Sequence, residues 1–206
     1  MDNKKVKGYA YGVIASVSYG LNPLFALPLY ASGIRVDSVL FYRYVFALLF
    51  LAVMMKMSGQ SFALKRNEIL PVAVMGLLFS FSSLFLFQSF NYMDAGIAST
   101  ILFMYPVLVA VIMAVFFKER LSVVKIASIA TAFVGISMLY KGEGGATLSM
   151  TGVCLVLMSS LTYALYIVGV NRSSLKEMPG LKLTFYAILF GSLVYIVRLR
   201  GGMDLQ

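Results

Sequence analysis

Seven apolar stretches, each close to the length of a membrane-spanning helix, follow one another along this chain. A helix rises about 1.5 Å per residue, so about 20 mostly apolar residues cross the hydrocarbon layer of a bilayer. The stretches cover residues 8–29, 36–57, 69–91, 95–117, 126–140, 150–170 and 183–197. The pattern therefore predicts an all-α polytopic membrane protein of about seven transmembrane helices.

The composition agrees with a lipid environment. Only 12% of the residues are charged and 61% are hydrophobic, whereas a soluble domain is about a quarter charged and about half apolar. The net charge of +9 comes from short basic clusters between the stretches, with no soluble domain that could carry a nucleic-acid groove. Histidine is absent and Cys154 is the single cysteine, so we expect no disulfide, metal or cofactor.

Lysine and arginine residues are unequally divided between the two sides that alternate loops would occupy. The side of the N-terminus receives twelve of them, the other side receives four, and Arg43 falls within a stretch. Because cytoplasmic loops carry the excess of basic residues, the N-terminus is predicted to lie in the cytoplasm. Seven crossings then place the C-terminus of this chain on the outer side.

The first two stretches recur, without a gap, 144 residues later in the chain. Eight identities share this spacing: Gly8/Gly152, Ser16/Ser160, Tyr19/Tyr163, Leu21/Leu165, Phe41/Phe185, Tyr42/Tyr186, Phe46/Phe190 and Leu49/Leu193. The period contains five spans, and an odd number makes the second copy enter the membrane from the opposite side. We therefore predict a complete five-helix repeat at 1–141, a glycine-rich linker at 142–149, and the first two helices of an inverted second repeat at 150–206. Since stretch 8–29 has an internal counterpart, we interpret it as a span and not as a cleaved signal peptide.

Polar residues inside the apolar stretches are the candidates for a solute pathway, because polar groups in hydrocarbon are costly unless they are satisfied. Helical spacing makes Ser18, Tyr19 and Asn22 near neighbours in the first stretch. The repeat places Tyr163 and Tyr166 at the corresponding positions of the second copy. These groups fit either a substrate pathway or an internal hydrogen-bond network.

Further candidates lie at the ends and breaks of other stretches. Gln88 and Asn91 are near the end of the third stretch, and Tyr105 and Pro106 are at the centre of the fourth. A proline removes a backbone donor, so Pro106 could open carbonyl groups toward a cavity, and Pro23 could loosen the first stretch in the same way. The alternative is a kinked helix with buried polar contacts.

Arg43 is the only ionisable residue placed well inside a stretch, about two turns into the second. Its long side chain could reach back to the outer interface. Its guanidinium could instead attract a substrate carboxylate, or fix another helix through carbonyl oxygens. No Asp or Glu falls at mid-membrane, which argues against proton coupling through a buried carboxylate.

Three motifs carry a resemblance to a known family. They are FYRY at 41–44, the run at 95–106, and FFKERLS at 116–122. The chain resembles the drug/metabolite transporter superfamily of the EamA type, whose fourth helix ends in Gly-Glu-Arg-Leu where this chain has Lys118 in place of the glycine. The resemblance implies ten helices in two inverted halves around a central cavity. It also implies an inner-membrane exporter of small metabolites, such as amino acids or drugs, that works by alternating access.

The resemblance also bears on the length of the chain and its partners. Two copies at a 144-residue period need about 290 residues, so we expect a truncated form that lacks roughly 80. The expected partners are a small-molecule substrate, the lipid bilayer, and either a second copy of the chain or the missing helices of the second half. We expect no nucleic-acid partner.

Two other classes of membrane protein remain as alternatives. A seven-helix receptor or retinal protein matches the helix count, but such proteins begin outside the cell, and Lys182 has no mid-membrane carboxylate as counterion. An intramembrane enzyme could use Cys154, Ser159 or Ser160 as a nucleophile, but the chain offers no histidine and no buried acid as a base. We therefore predict no catalytic residue.

Overall fold

A computed structural model of the chain describes residues 3–119 and 149–199, together with Ala127, Ala130, Thr131 and Val134. Most of the predicted fifth stretch lies outside the described residues, as do residues 142–148 of the predicted linker and residues 200–206. The described part is helical, with no strand in it. Six of its segments are long and apolar enough to cross a membrane. The predicted class of all-α polytopic membrane protein is thereby confirmed.

Eight α-helices and one short 3-10 helix make up the two long described segments. They are α1 (Asn3–Gly20), α2 (Asn22–Ala31), α3 (Val36–Met57), α4 (Arg66–Ser89), α5 (Ala95–Leu102), α6 (Tyr105–Phe117), α7 (Met150–Arg172), the 3-10 helix (Ser174–Glu177) and α8 (Gly180–Arg198). Helix α3 has the bounds predicted from the apolar pattern. Helix α7 extends the predicted stretch by two residues, and α8 extends it by three residues at its start and one at its end.

Two of the predicted spans are broken, each just before a proline. The first span divides at Leu21 into α1 and α2, and Pro23 is in the first turn of α2. The fourth divides at 103–104 into α5 and α6, and Pro106 is in the first turn of α6. Proline lacks the amide hydrogen that would bond to the carbonyl four residues earlier, so the helix is interrupted at that point. For Pro106 the carbonyl left without this donor is that of Leu102, and the Ser160 hydroxyl donates to it at 3.1 Å.

Helix α4 lies at the centre of the bundle, parallel to α8. Their backbones approach closely, since a Cβ added to Gly76 would lie 2.6 Å from the Ala187 carbonyl oxygen. A Cβ on Gly191 would lie 2.0 Å from Ser80 Oγ. Without a hydrophobic force between helices in lipid, this close contact of small residues is a main source of attraction.

Helix α7 packs antiparallel to α4 on another side, and small polar residues join the two. Ser159 Oγ donates to the Ser82 carbonyl at 2.7 Å. Ser82 Oγ donates in return to the Ser159 carbonyl at 3.0 Å. Both serines are buried, so these bonds satisfy groups that would otherwise be costly in lipid. The geometry gives Ser159 and Ser160 a role in helix packing.

Helix α1 lies at the periphery of the described bundle. Large side chains along α1, among them Tyr9, Tyr11 and Val13, are exposed. A Cβ added to Gly12 or Gly20 would meet no atom of the described residues within 4 Å. Helix α2, in contrast, joins the core that contains α3 and α4 through the buried Ala26.

The helix ends define two faces of the bundle. On the first, called here the basic face, the Tyr186 hydroxyl donates to the Phe62 carbonyl and the Lys182 ammonium to the Ala63 carbonyl. On the second, called the Asp37 face, the Arg198 guanidinium forms two hydrogen bonds with the Asp37 carboxylate, at 2.7 and 3.2 Å. Successive spans in each described segment therefore run alternately between the two faces.

Candidate functional site

A cavity of about 470 Å³ lies between α2, α3 and α4, in the half of the bundle nearer the Asp37 face. Its lining consists of Asn22, Phe25, Ala26, Leu29, Ile34, Val39, Tyr42, Arg43, Phe46 and Phe87. Sites for small molecules are typically about 300–1,000 Å³ in volume, with mostly apolar walls and a few polar groups. This cavity has the size and composition of such a site.

Helical spacing explains how two elements supply most of the wall. From α2, Asn22 is followed by lining residues three, four and seven positions later. From α3, Val39 is followed by Tyr42, Arg43 and Phe46 at the same three offsets. Residues at these offsets share one face of a helix.

Arg43 supplies the positive charge of the cavity. Its Cζ lies 5.0 Å from the centre of the Phe87 ring, within the range of a cation–π contact. Phe87 is two residues from the end of α4, so the side chain reaches toward the Asp37 face, as a snorkelling arginine would. Among the described residues, no side chain forms an ion pair or hydrogen bond with Arg43, and Asp37 is already bound to Arg198.

Beside the cavity, six aromatic residues from five helices form what we call the aromatic cluster. Its members are Tyr44 of α3, Phe79 of α4, Tyr105 of α6, Tyr163 and Tyr166 of α7, and Tyr195 of α8. The rings of Tyr105 and Tyr163 are 4.8 Å apart and edge-to-face, and those of Phe79 and Tyr166 are 5.4 Å apart. The contacts are in the range of favourable aromatic pairs.

One end of the aromatic cluster is held by buried hydrogen bonds. The Tyr195 hydroxyl donates to the Ser80 carbonyl at 2.8 Å. Ser80 Oγ donates to the Tyr44 hydroxyl at 3.3 Å, and that hydroxyl donates to Ser83 Oγ at 3.3 Å. Each hydroxyl thus has a partner within the protein, so this end of the cluster has the form of an internal network.

The predicted pathway residues fall into separate places in the structure. Asn22 and Arg43 line the cavity, and Tyr105, Tyr163 and Tyr166 belong to the aromatic cluster. Gln88 and Asn91 line a second pocket of about 300 Å³ on the Asp37 face, next to Asp37 and Tyr30. Ser18 is exposed on α1, and Pro106 is exposed at the start of α6.

Tyr19 lies between the first two groups. It is close enough to Tyr163, Arg43 and Tyr105 to interact electrostatically with all three. It is thus near one cavity residue and two residues of the aromatic cluster, but it is not among the residues that line the cavity.

The aromatic side of the site was missed by reasoning from polar residues alone. Phe25, Phe46 and Phe87 of the cavity, and Phe79 of the cluster, are apolar residues in an apolar sequence. Tyr44 carried a signal, since it is the last residue of the FYRY motif beside Arg43. Within the described residues, no group of three acidic or cysteine side chains could hold a metal ion.

The six apolar spans define a multi-pass membrane protein, and a cavity lies among its helices. The chain belongs to the EamA-like transporter family, whose profile matches residues 6–141. This membership confirms the predicted resemblance, and it points to a transporter and not to an enzyme. It also favours a transporter over a seven-helix receptor.

Relatives from two organisms are similar to this chain. The uncharacterized transporter YxxF of Bacillus subtilis is 29% identical over 131 residues, which are 61% of this chain and 42% of the relative. The uncharacterized transporter YvbV of the same organism is 27% identical over 61% of this chain and 43% of its own. An uncharacterized transporter of Archaeoglobus fulgidus is 28% identical over 50% of this chain and 36% of its own. The chain thus matches less than half the length of these relatives, and no solved structure matches it significantly.

Proposed function

We propose that the chain is part of a transporter that exports small metabolites, such as amino acids or drugs, across the inner membrane by alternating access. The observation that carries the proposal is the cavity between α2, α3 and α4, in which Arg43 and Asn22 stand in an otherwise largely apolar wall. A charged group inside a membrane span is costly, and where one faces a cavity it typically marks a substrate path. Tyr19 and the aromatic cluster would continue that path toward α6 and α7.

The proposed orientation places the N-terminus in the cytoplasm and the C-terminus of this chain outside. Its support is the distribution of charge between the two faces. Described basic residues at the basic face are Lys56, Lys65, Arg66, Lys118, Arg172, Lys176 and Lys182, whereas Arg35 and Arg198 lie at the Asp37 face. By the positive-inside rule the basic face is cytoplasmic. The cavity then belongs to the outer half of the membrane, from which an exported solute is released.

We also propose that α7 and α8 begin a second, inverted repeat. The direction of the helices supports this, because α1 and α2 run toward the Asp37 face while their repeat counterpart α7 runs away from it. Helix α3 and its counterpart α8 are likewise antiparallel, since the start of α3 binds the end of α8 through Asp37 and Arg198. The proposed partners are a second copy of the chain or further helices that complete this half.

Counterflow in proteoliposomes tests the proposed transport. The chain is reconstituted at high density, and uptake of labelled amino acids, organic acids and cationic drugs is compared with uptake by empty liposomes. Ala26→Leu places three extra carbons at a cavity position where the side chain is only 2% exposed. We expect it to lower counterflow about tenfold or more by filling the cavity.

The matched control is Ala10→Leu, which makes the same change at an exposed position of α1. Its counterflow should equal that of the unchanged protein. Thermal unfolding of both variants is recorded, since an overpacked helix contact can also destabilise the fold. Uptake no greater than in empty liposomes for every compound, both by this chain and by a longer version that includes the helices completing the second half, would contradict the proposed function.

A further inference from the structure

We propose that the cavity is selective for amphipathic monocarboxylates, that is, for organic acids with an aromatic or branched apolar body and no second charge. This inference rests on the proposed function, because it narrows the substrate class of the same cavity. Among the small metabolites of the proposed function, it favours these acids over amino acids and cationic drugs.

The first observation behind this inference is the positive charge of the cavity wall. Among the residues that line the cavity, Arg43 is the one charged side chain, and none is acidic. Asp37, the only acidic residue of α3, is bound in a two-point ion pair by Arg198, so it does not neutralise Arg43. The cavity therefore presents a positive charge to its ligand. A carboxylate would complete an ion pair there, whereas an ammonium group would find no acidic partner in the wall.

The second observation is that the N–H donors of Arg43 are available to a ligand. A guanidinium has five N–H donors in one plane, and two of them can bind both oxygens of a carboxylate. The contact with Phe87 places the Arg43 Cζ 5.0 Å from the centre of the ring, and no described residue accepts a hydrogen bond from the N–H donors of Arg43. Arg43 is among the residues that line the cavity, so a ligand in the cavity can reach it. Asn22 and Tyr42 add neutral polar groups at the same cavity.

The apolar part of the wall gives the shape of the rest of the ligand. Phe25, Phe46 and Phe87 surround the cavity together with aliphatic side chains, within a volume of about 470 Å³. Apolar and aromatic walls favour a ligand body that buries apolar surface, since burial contributes about 25 cal/mol per Å². A second charged or strongly polar group on the body would lose its hydration without a partner. Phenyl-substituted short-chain acids meet these requirements.

A series of four compounds that differ mainly in charge tests the selectivity. In 3-phenylpropionate, phenylalanine, phenethylamine and 3-phenylpropanol, a phenyl ring on a short chain carries a negative charge, both charges, a positive charge or none. Binding to the purified chain in detergent is measured by isothermal titration calorimetry. We expect the acid to bind at least about tenfold more tightly than each of the other three, and Arg43→Gln to reduce its affinity to that of the alcohol.

Two further variants separate charge from folding. Arg43→Lys keeps the charge but loses the planar two-point geometry, so it should keep part of the preference for the acid. Arg66→Gln removes an exposed basic residue at the basic face, away from the cavity, and should change nothing. If Arg43→Gln does not fold, the Arg43→Lys variant tests the proposal in its place. The proposal then requires that Arg43→Lys still binds the acid more tightly than phenylalanine.

The inference is overturned if phenylalanine or phenethylamine binds as tightly as the acid, if the preference survives Arg43→Gln, or if the acid does not bind. Counterflow of the same compounds separates this failure from failure of the proposed function. Transport of phenylalanine or phenethylamine without transport of the acid would refute the substrate class and leave the transporter standing. Binding of the acid without counterflow of any compound would refute transport and leave the selectivity of the cavity standing.

Discussion

At the scale of single residues, Lys118 explains a feature of the motif that ends the fourth span. Its backbone is left-handed, with φ of 55° and ψ of 29°. The Glu119 amide donates to the Met113 carbonyl at 3.2 Å and so closes the end of α6. Glycine is the usual residue at a left-handed position just past the end of a helix. Glycine pays no Cβ penalty there. The left-handed backbone at this position thus explains the glycine of the family motif. Lys118 keeps the same turn, but its Cβ makes the left-handed backbone less favourable.

The turn at Lys118 also positions its neighbours. Glu119 forms an ion pair with Arg172 at the end of α7, and the Arg172 Cζ lies 4.5 Å from the centre of the Phe117 ring. Both side chains of the ion pair are substantially exposed, so the pair alone contributes little to stability. Together, the cap, the ion pair and the ring contact fix the end of α6 against the end of α7 at the basic face.

Replacing Lys118 by glycine should stabilise the protein. We expect Lys118→Gly to raise the free energy of unfolding by about 0.5–1 kcal/mol, because it removes the strain of a left-handed lysine. The matched change Lys56→Gly in the last turn of α3 should lower it by a similar amount, because glycine there weakens a regular helix. Unfolding in mixed micelles with increasing SDS measures both. A destabilised Lys118→Gly protein would contradict this account of the turn.

At the scale of elements, the closest backbone contact described here is the one between α4, at the centre of the bundle, and α8. Gly76 and Gly191 leave room for backbone atoms of the facing helix, and Ser80 lies between them, bonded to Tyr44. Lipid gives no hydrophobic drive for this contact, so its strength depends on fit. Any added carbon at these positions must displace either backbone or the buried hydrogen bonds of the aromatic cluster.

Gly191→Ala should therefore be destabilising. The new Cβ would lie 2.0 Å from Ser80 Oγ and 2.8 Å from the Gly76 carbonyl oxygen. We expect a loss of about 1–3 kcal/mol in the free energy of unfolding, typical of overpacking in a tight contact. Gly12→Ala is the control, because a Cβ there meets no described atom within 4 Å and alanine favours helix. Equal effects of the two changes in the same SDS titration would be evidence against a close α4–α8 contact.

The elements also show what the sequence could and could not predict. Apolar length predicted the six described spans, and prolines predicted the breaks beside Leu21 and Leu102. Asn22 and Arg43 were found because a polar residue in an apolar span is unusual. Phe46 and Phe87 were not found, because an apolar side chain that faces a cavity cannot be told from one that faces lipid. The pairing of Asp37 with Arg198 depends on tertiary packing across 161 positions of sequence.

At the scale of the whole molecule, the two faces allow one assumption of the positive-inside argument, the alternating direction of the spans, to be checked against the structure. Counting basic residues by loop assumes that successive spans alternate in direction, and the contacts between helix ends show this alternation within each described segment. What the contacts do not fix is which face meets the cytoplasm. The assignment of the basic face to the cytoplasm comes from charge alone, so it needs a measurement that reads sidedness directly.

The single cysteine makes that measurement simple. In a Cys154→Ser background, Ser32→Cys places a thiol in the exposed turn between α2 and α3 at the Asp37 face, and Ser61→Cys places one in the exposed loop between α3 and α4 at the basic face. A charged, membrane-impermeant maleimide should label Ser32→Cys in intact cells. It should label Ser61→Cys only after the membrane is opened, because the basic face is predicted to be cytoplasmic.

The two variants control for each other, since both thiols are in exposed turns and should react similarly in detergent. The reversed pattern would place the cavity in the cytoplasmic half of the membrane and contradict release of an exported solute from it. Labelling of both sites in intact cells would contradict the alternation itself, because α3 then could not cross the bilayer. Only labelling of Ser32→Cys alone agrees with a bundle whose cavity, with Arg43 in its wall, lies in the outer half of the membrane.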